Sequence, residues 1–179
     1  MGETVAVELT RHHGLGNDFM VVDGLSQPLP EDGPPLSEAD LRRLGDRHFG
    51  VGFDQLLVVQ PPRHEGVDFR YRIFNSDGSE VSQCGNGARC FARFVRDQGL
   101  TRKHEIRVET AEGLMTLKVT DDGLVTVDMG APRWAPAAIP FQADAEADTY
   151  ILVAGQNAYE VSAVGLGNPH VVLLVENVD

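Results

Sequence analysis

Cys84-Gly85-Asn86-Gly87, inside the stretch NSDGSEVSQCGNGARC at residues 75–90, joins a thiol to small residues that leave it accessible. Phe91, Phe94 and Val95 follow at helical spacing, interrupted by Arg89, Arg93 and Arg96. The stretch therefore reads as a loop entering a helix, with Cys84 at or just before the first turn. Unpaired N–H groups and the positive end of the helix macrodipole gather at such a start. A thiol held there ionises more easily, and the thiolate is the reactive form. Glycines let the backbone approach a small ligand, whose carboxylate can sit on the same N–H groups. The predicted chemistry is a catalytic thiol facing a small anionic substrate. A buried structural cysteine at a helix start is the plainer alternative.

Cys90 is the second of two cysteines in the chain. On one helix the two are separated by about 9 Å of rise at ~1.5 Å per residue. They also point to roughly opposite sides. A disulfide between them is not expected. The C-x-x-C spacing of a metal site is absent, so no metal is expected either. Cys90 reads as a small buried hydrophobe on the inner helix face.

The elements that must position Cys84 can be read in order. Val5, Val7 and Leu9 alternate with Ala6 and Glu8, which predicts a first strand. Gly14 and Gly16 mark a tight turn, with Asn17 in it, and an apolar strand resumes at residues 19–22. Asn17 alone reads as turn chemistry, since Asn tolerates left-handed backbone. His12 and His13 read as surface residues. Ser37 caps a short helix to about residue 47, with Glu38 and Asp40 in its first turn. A strand is predicted at 55–59. Another follows where Phe69, Tyr71 and Ile73 alternate with Arg70 and Arg72, and it delivers Asn75 into the Cys84 loop. Gly99 is a natural helix stop. Three alternating runs at 106–110, 114–120 and 124–129 predict a meander. Residues 131–141 read as a linker or crossover, and further strands are predicted at 150–153, 159–164 and 171–175. Many short strands with two helices imply an α+β domain whose mostly antiparallel sheet wraps a helix.

The 179 residues carry a formal net charge of −12, with 42% apolar and 23% charged residues. That is the make-up of an ordinary globular protein. The acidity argues against nucleic acid or an anionic membrane as partner. The longest aliphatic run, 171–175, is too short to span a bilayer. The N-terminal residues have an early acid and no apolar signal core, so a cytoplasmic location is expected.

An internal echo reorganises this picture. GLGNDF begins at Gly14 and GLGNPH at Gly165, 151 residues apart (165 − 14), each between two short strands. Two similar halves are predicted, and the counterpart of Cys84 at that offset falls beyond Asp179. HGLGNDFMVVD, FDQLLVV, NSDGSEVSQCGNGARC and GNPH then occur in the order found in diaminopimelate epimerases, which this chain resembles over nearly its whole length. The Cys-Gly-Asn-Gly-Ala-Arg-Cys block is the diagnostic part; Ser76 and Gln83 fall where the family varies.

The resemblance implies a fold of two pseudo-symmetric α+β halves, each a mostly antiparallel sheet wrapped around a central helix. Residues 1–130 would form the first domain, with the Cys84 helix, and 131–179 the start of a truncated second one. It implies epimerisation of diaminopimelate between its LL and meso forms, without pyridoxal phosphate or any other cofactor. By that resemblance Cys84 is one of two acid/base groups, and Gly85 and Asn86 serve the α-carboxylate. Asn17, Gln55, Asn75 and Asn168 hold substrate amino and carboxylate groups, and His170 sits near the reacting centre in an orienting role. Family members carry a second catalytic cysteine in a Cys-Gly-Thr-Gly loop that is absent from these residues. The chain is therefore expected to be an N-terminal part, inactive alone, with exposed strand edges that invite association; a homodimer stays open. A proline or hydroxyproline racemase and a non-catalytic binding remnant are the alternatives. A phenazine-pathway isomerase is disfavoured because that relative does not use this cysteine block.

Overall fold

The computed structural model describes residues 6–177. A sheet closes around the apolar side of one helix, α2, Gly85–Asp97. Ala88, Cys90, Phe91, Ala92, Phe94 and Val95 of this helix are buried, at the three- and four-residue spacing that makes one face. Gly99 stops the helix at φ +69°. Its N–H donates to the Arg96 carbonyl (3.0 Å), and the Leu100 N–H to that of Val95 (2.9 Å). This pair of bonds needs the left-handed backbone glycine supplies.

The sheet is built from β1 (Thr10–Gly14), β2 (Asn17–Asp23), β3 (Gln55–Gln60), β4 (Phe69–Asn75), β5 (Glu80–Val81), β6 (Glu105–Thr110), β7 (Gly113–Val119) and β8 (Val125–Val127). Its order is β1-β2-β3-β4-β6-β7-β8, with β5 also on β4. The β2/β3 and β4/β6 pairs are parallel and the others antiparallel. Helix α2 packs on both β1 and β8, the two ends of that order, so the sheet is curled.

Both faces of the central strands are covered, which explains the unbroken runs FMVV and LLVV. Phe19, Val21, Leu57, Val59, Tyr71 and Ile73 cluster with α2. Met20, Val22, Leu56, Val58 and Phe74 cluster on the other side with Leu41 of α1 (Glu38–Gly45). Ser37 caps α1 through a hydrogen bond from the Asp40 N–H (3.1 Å). The helix ends at Gly45, short of 47, because the Asp46 carboxylate takes the His48 and Phe49 N–H groups into a turn.

The covered outer face also changes what the alternating β4 means. Alternation ordinarily leaves the polar residues in water. Arg72 is instead buried, its guanidinium held by Glu80 (2.7 and 2.8 Å) and stacked on Phe74. A second difference concerns the first strand. Val5 lies outside the described residues, 6–9 form no strand, and pairing begins at Thr10. The turn sets this register: Gly14 faces Asn17 across Leu15 and Gly16, and the ladder runs from there to Thr10 opposite Val21. Val7 and Leu9 pack as loop residues against the outer cluster.

The chain divides into two compact units, one ending at Asp128 and one beginning at Met129. In the second, β9 (Tyr150–Ala154), β10 (Asn157–Gly165) and β11 (Pro169–Val172) form an antiparallel sheet in the order β11-β10-β9. The last strand is thus shorter and earlier than 171–175. The segment 131–141 contains a short 3-10 turn at Pro136–Ala138 and pairs Arg133 with Gly165. The echo is visible as geometry: Gly16 and Gly167 sit in the two hairpin loops at φ +87° and +90°.

Glu80→Ala is expected to cost about 1–3 kcal/mol in chemical denaturation, because it strands a buried guanidinium. Adding Arg72→Met is expected to restore most of that loss.

Candidate active site

Cys84 is the N-cap of α2, in extended conformation (φ −147°, ψ 112°), and its Sγ accepts the Gly87 N–H at 3.4 Å. Its carbonyl accepts the first helical bond from Ala88 (2.8 Å) and a longer one from the Tyr71 hydroxyl (3.4 Å). The side chain is half-buried. Gly85 and Asn86 occupy the opening turn, whose N–H groups have no partner earlier in the helix. The Asn86 Oδ1 accepts a hydrogen bond from Arg89.

Gly87 serves a different purpose from the one its neighbours suggest. A Cβ there would run into the Tyr71 hydroxyl and lie 3.2 Å from Leu57. Its lack of a side chain admits the protein's own core, not a ligand. Tyr71 is wholly buried, which pushes its phenol well above its ordinary range.

Cys90 is buried on the inner face, beside Gly14. Burial foremost raises its thiol to about 11, and the Cys84 sulfur adds to the effect. Both cysteines are free. Cys84, at the cap, is half-buried, whereas Cys90, on the helix's inner face, is buried.

Three amides gather at the end of the sheet where α2 starts. The register lines up Phe19, Gln55 and Asn75 across β2, β3 and β4. Gln55 and Asn75 share strand parity with Leu57 and Ile73, and Asn17 with Phe19, so all three amides stand on the α2 side. The Gly14 end of the first hairpin closes against Asn86, where a Cβ would lie 3.3 Å away. Asn17, Gln55, Asn75, Cys84, Gly85 and Asn86 are thus brought to one end of the first unit.

Each of the strand amides is tied down. Asn17 Nδ2 and the Asp18 N–H both donate to Asp54 Oδ2 (2.9 Å each), while Arg47 holds Asp54 Oδ1 (2.6 Å). Burial works to raise the Asp54 carboxyl, but these hydrogen bonds and the Arg47 charge outweigh it and hold it below the usual range. Gln55 Nε2 donates to Asn75 Oδ1 (3.0 Å), and Asn75 Nδ2 to Ser79 Oγ (3.0 Å).

Asn168 and His170 lie in the second unit and are exposed. The His170 Nδ1–H donates to the Asn168 carbonyl (3.1 Å), which also takes the Leu166 N–H (3.0 Å). A carbonyl only accepts, so Nδ1 carries the proton and Nε2 of the neutral ring is the acceptor.

Residues 9–135 match the family model described as Diaminopimelate epimerase. The chain belongs to the diaminopimelate epimerase family. A protein named diaminopimelate epimerase from Ectopseudomonas mendocina is 57% identical over 173 residues, which cover 97% of this chain and 61% of that relative. The chain therefore spans under two thirds of the relative's length. Among solved structures, a probable proline racemase from Agrobacterium radiobacter superposes with a TM-score of 0.64 at 18% identity, over 94% of this chain and 52% of that one. A hydroxyproline epimerase from Agrobacterium vitis does so with 0.63 at 15%, over 92% and 50%. At such identities the likeness is one of fold, and it is the α+β fold expected. Among the described residues no helix is long and apolar enough to cross a membrane.

Reading the epimerase motifs alone missed Tyr71 and Asp54, which brace Cys84 and Asn17. The FDQ motif contained Asp54 in plain sight, next to Gln55; only the fold shows that it reaches Asn17. Asn17 is also not the left-handed turn residue: Leu15 takes that role (φ 55°), and Asn17 opens β2. His12 stacks edge-on against Phe94, half-buried, and is not a surface residue.

Iodoacetamide is expected to alkylate Cys84 well before Cys90, read by peptide mass spectrometry; the reverse order would contradict the two environments. Gly87→Ala is expected to destabilise by about 1–3 kcal/mol through overpacking, outweighing the ~1 kcal/mol alanine ordinarily gains over glycine in a helix. Tyr71→Phe should recover part of that loss in urea titrations.

Proposed function

We propose that this chain supplies one side of the active site of a cofactor-independent epimerase that interconverts LL- and meso-2,6-diaminopimelate. The observation that carries the reading is Cys84 at the N-cap of α2, with Gly85 and Asn86 opening the same turn. Family membership and the 57% identity to a protein named diaminopimelate epimerase support the substrate. The product is a precursor for lysine and peptidoglycan, made in the cytoplasm.

Inversion at an α-carbon needs a base on one face and an acid on the other. Cys84 as thiolate takes the α-proton, and a group opposite returns one. The N–H donated to the sulfur and the helix dipole compensate the thiolate charge. The α-carboxylate lies on the Gly85 and Asn86 N–H groups, where negative charge spreading from the α-carbon during proton removal is stabilised. Asn17, Gln55 and Asn75 hold the substrate's polar groups, their orientation set in advance by Asp54 and by Ser79.

Cys90 cannot be the opposing group, since it is buried and its thiol is raised to about 11. The opposing acid/base is therefore a group other than Cys90. The second unit, with its matching hairpin glycine, supports a repeat relation to the first. By the family resemblance Asn168 is a substrate ligand and His170 an orienting group; the His170 Nδ1–H is held on the Asn168 carbonyl, which leaves Nε2 as the ring's acceptor.

In the full-length enzyme, Cys84→Ala and Cys84→Ser are expected to abolish deuterium uptake at the substrate α-carbon from heavy water. Retained exchange in either variant would remove Cys84 from the mechanism.

A further inference from the structure

The hydrogen bonds that tie Gln55 and Asn75 all run in one direction. The Ser79 N–H and hydroxyl both donate to Asp77 Oδ1 (2.8 and 2.5 Å). A carboxylate only accepts, and a serine hydroxyl has one proton to give. The Ser79 bonds, and then the Arg42 charge, hold the Asp77 carboxyl below its ordinary range, so it stays an acceptor at neutral pH. With its proton committed to Asp77, Ser79 Oγ can only accept, and it takes the Asn75 Nδ2 donor (3.0 Å). Asn75 must then turn Oδ1 the other way, where it meets Gln55 Nε2 (3.0 Å).

Gln55 is left with its oxygen unpaired. Oε1 is buried and has no hydrogen-bond partner among the described residues. A buried acceptor without a donor is costly in an empty protein. It stands on the α2 side of β3, at the end where α2 begins. An isolated amide can exchange its N and O by rotation about its last torsion. Here such a flip would set Gln55 Oε1 against Asn75 Oδ1, two acceptors facing one another. The polarity of the row is dictated from its far end.

We propose that Asp77 and Ser79 are positioning residues, which fix the Gln55 amide so that its Oε1 accepts a hydrogen bond from an ammonium group of the substrate. This rests on the epimerase reading above and sharpens it: an amino group, not a carboxylate, lies at Gln55. A carboxylate brought to that oxygen would meet repulsion; an ammonium offers the missing donor. Neither Asp77 nor Ser79 touches the substrate.

The test uses steady-state epimerisation of diaminopimelate by the full-length enzyme and its variants. Ser79→Ala is expected to raise KM about tenfold, the scale of one hydrogen bond to a charged group. Its kcat should stay within about twofold, since ground-state binding is what is lost. Ser79→Thr keeps the hydroxyl and should keep KM. In a Gln55→Met background, Ser79→Ala should raise KM no further, a non-additivity that a merely structural role would not produce. An unchanged KM in Ser79→Ala, a rise that Ser79→Thr shares, or additive effects in the double variant would each overturn the relay while wild-type turnover upholds the epimerase reading. Absence of wild-type turnover would overturn both.

Discussion

The first turn of α2 rests on a tyrosine, and the candidate site depends on that contact. Tyr71 donates to the Cys84 carbonyl and occupies the space a side chain at Gly87 would need. Together these fix where the helix begins, and with it the sulfur and the N–H groups of Gly85 and Asn86. A helix started one residue later would turn the thiol by about 100°, away from the amides on the strands. The core residue and the helix cap thus act as one device.

That device is carried by a sheet buried on both sides. Helix α2 fills the inner curve and α1 covers β2, β3 and β4 from outside. The arrangement keeps the strand ends rigid where Asn17, Gln55 and Asn75 emerge, because the rows behind them are packed on both faces. Each amide is then locked by another residue: Asp54, from across the fold, for Asn17, and Ser79, from the turn that follows β4, for Asn75 and, through it, Gln55.

What was legible in the sequence was local. The start of α2 at Cys84, its stop at Gly99, the cap at Ser37 and the β6–β8 meander all follow from signals within a few residues of each other. The family motif points to the candidate site because it spans one such local unit. What escaped was long-range. Arg72 looked like the wet side of an alternating strand, since nothing in the alternation announces that Glu80 and the Glu31 carbonyl would enclose it. Gly87 looked like a ligand approach, since Tyr71 reaches it only across the fold. The first strand was placed on the apolar alternation at 5–9, whereas a turn at Leu15 and Gly16 sets the register and pairing starts at Thr10.

The strand wall of the site is made of neutral side chains: Asn17, Gln55 and Asn75 are amides, and Asn86 adds another at the helix start. Diaminopimelate, the substrate proposed above, carries as many ammonium as carboxylate groups at neutral pH, so it has no net charge. An acidic protein neither attracts nor repels such a molecule over distance, and dipoles recognise it only at contact. Capture by this surface should therefore be nearly indifferent to ionic strength, in contrast to enzymes that draw charged substrates in through a long-range field.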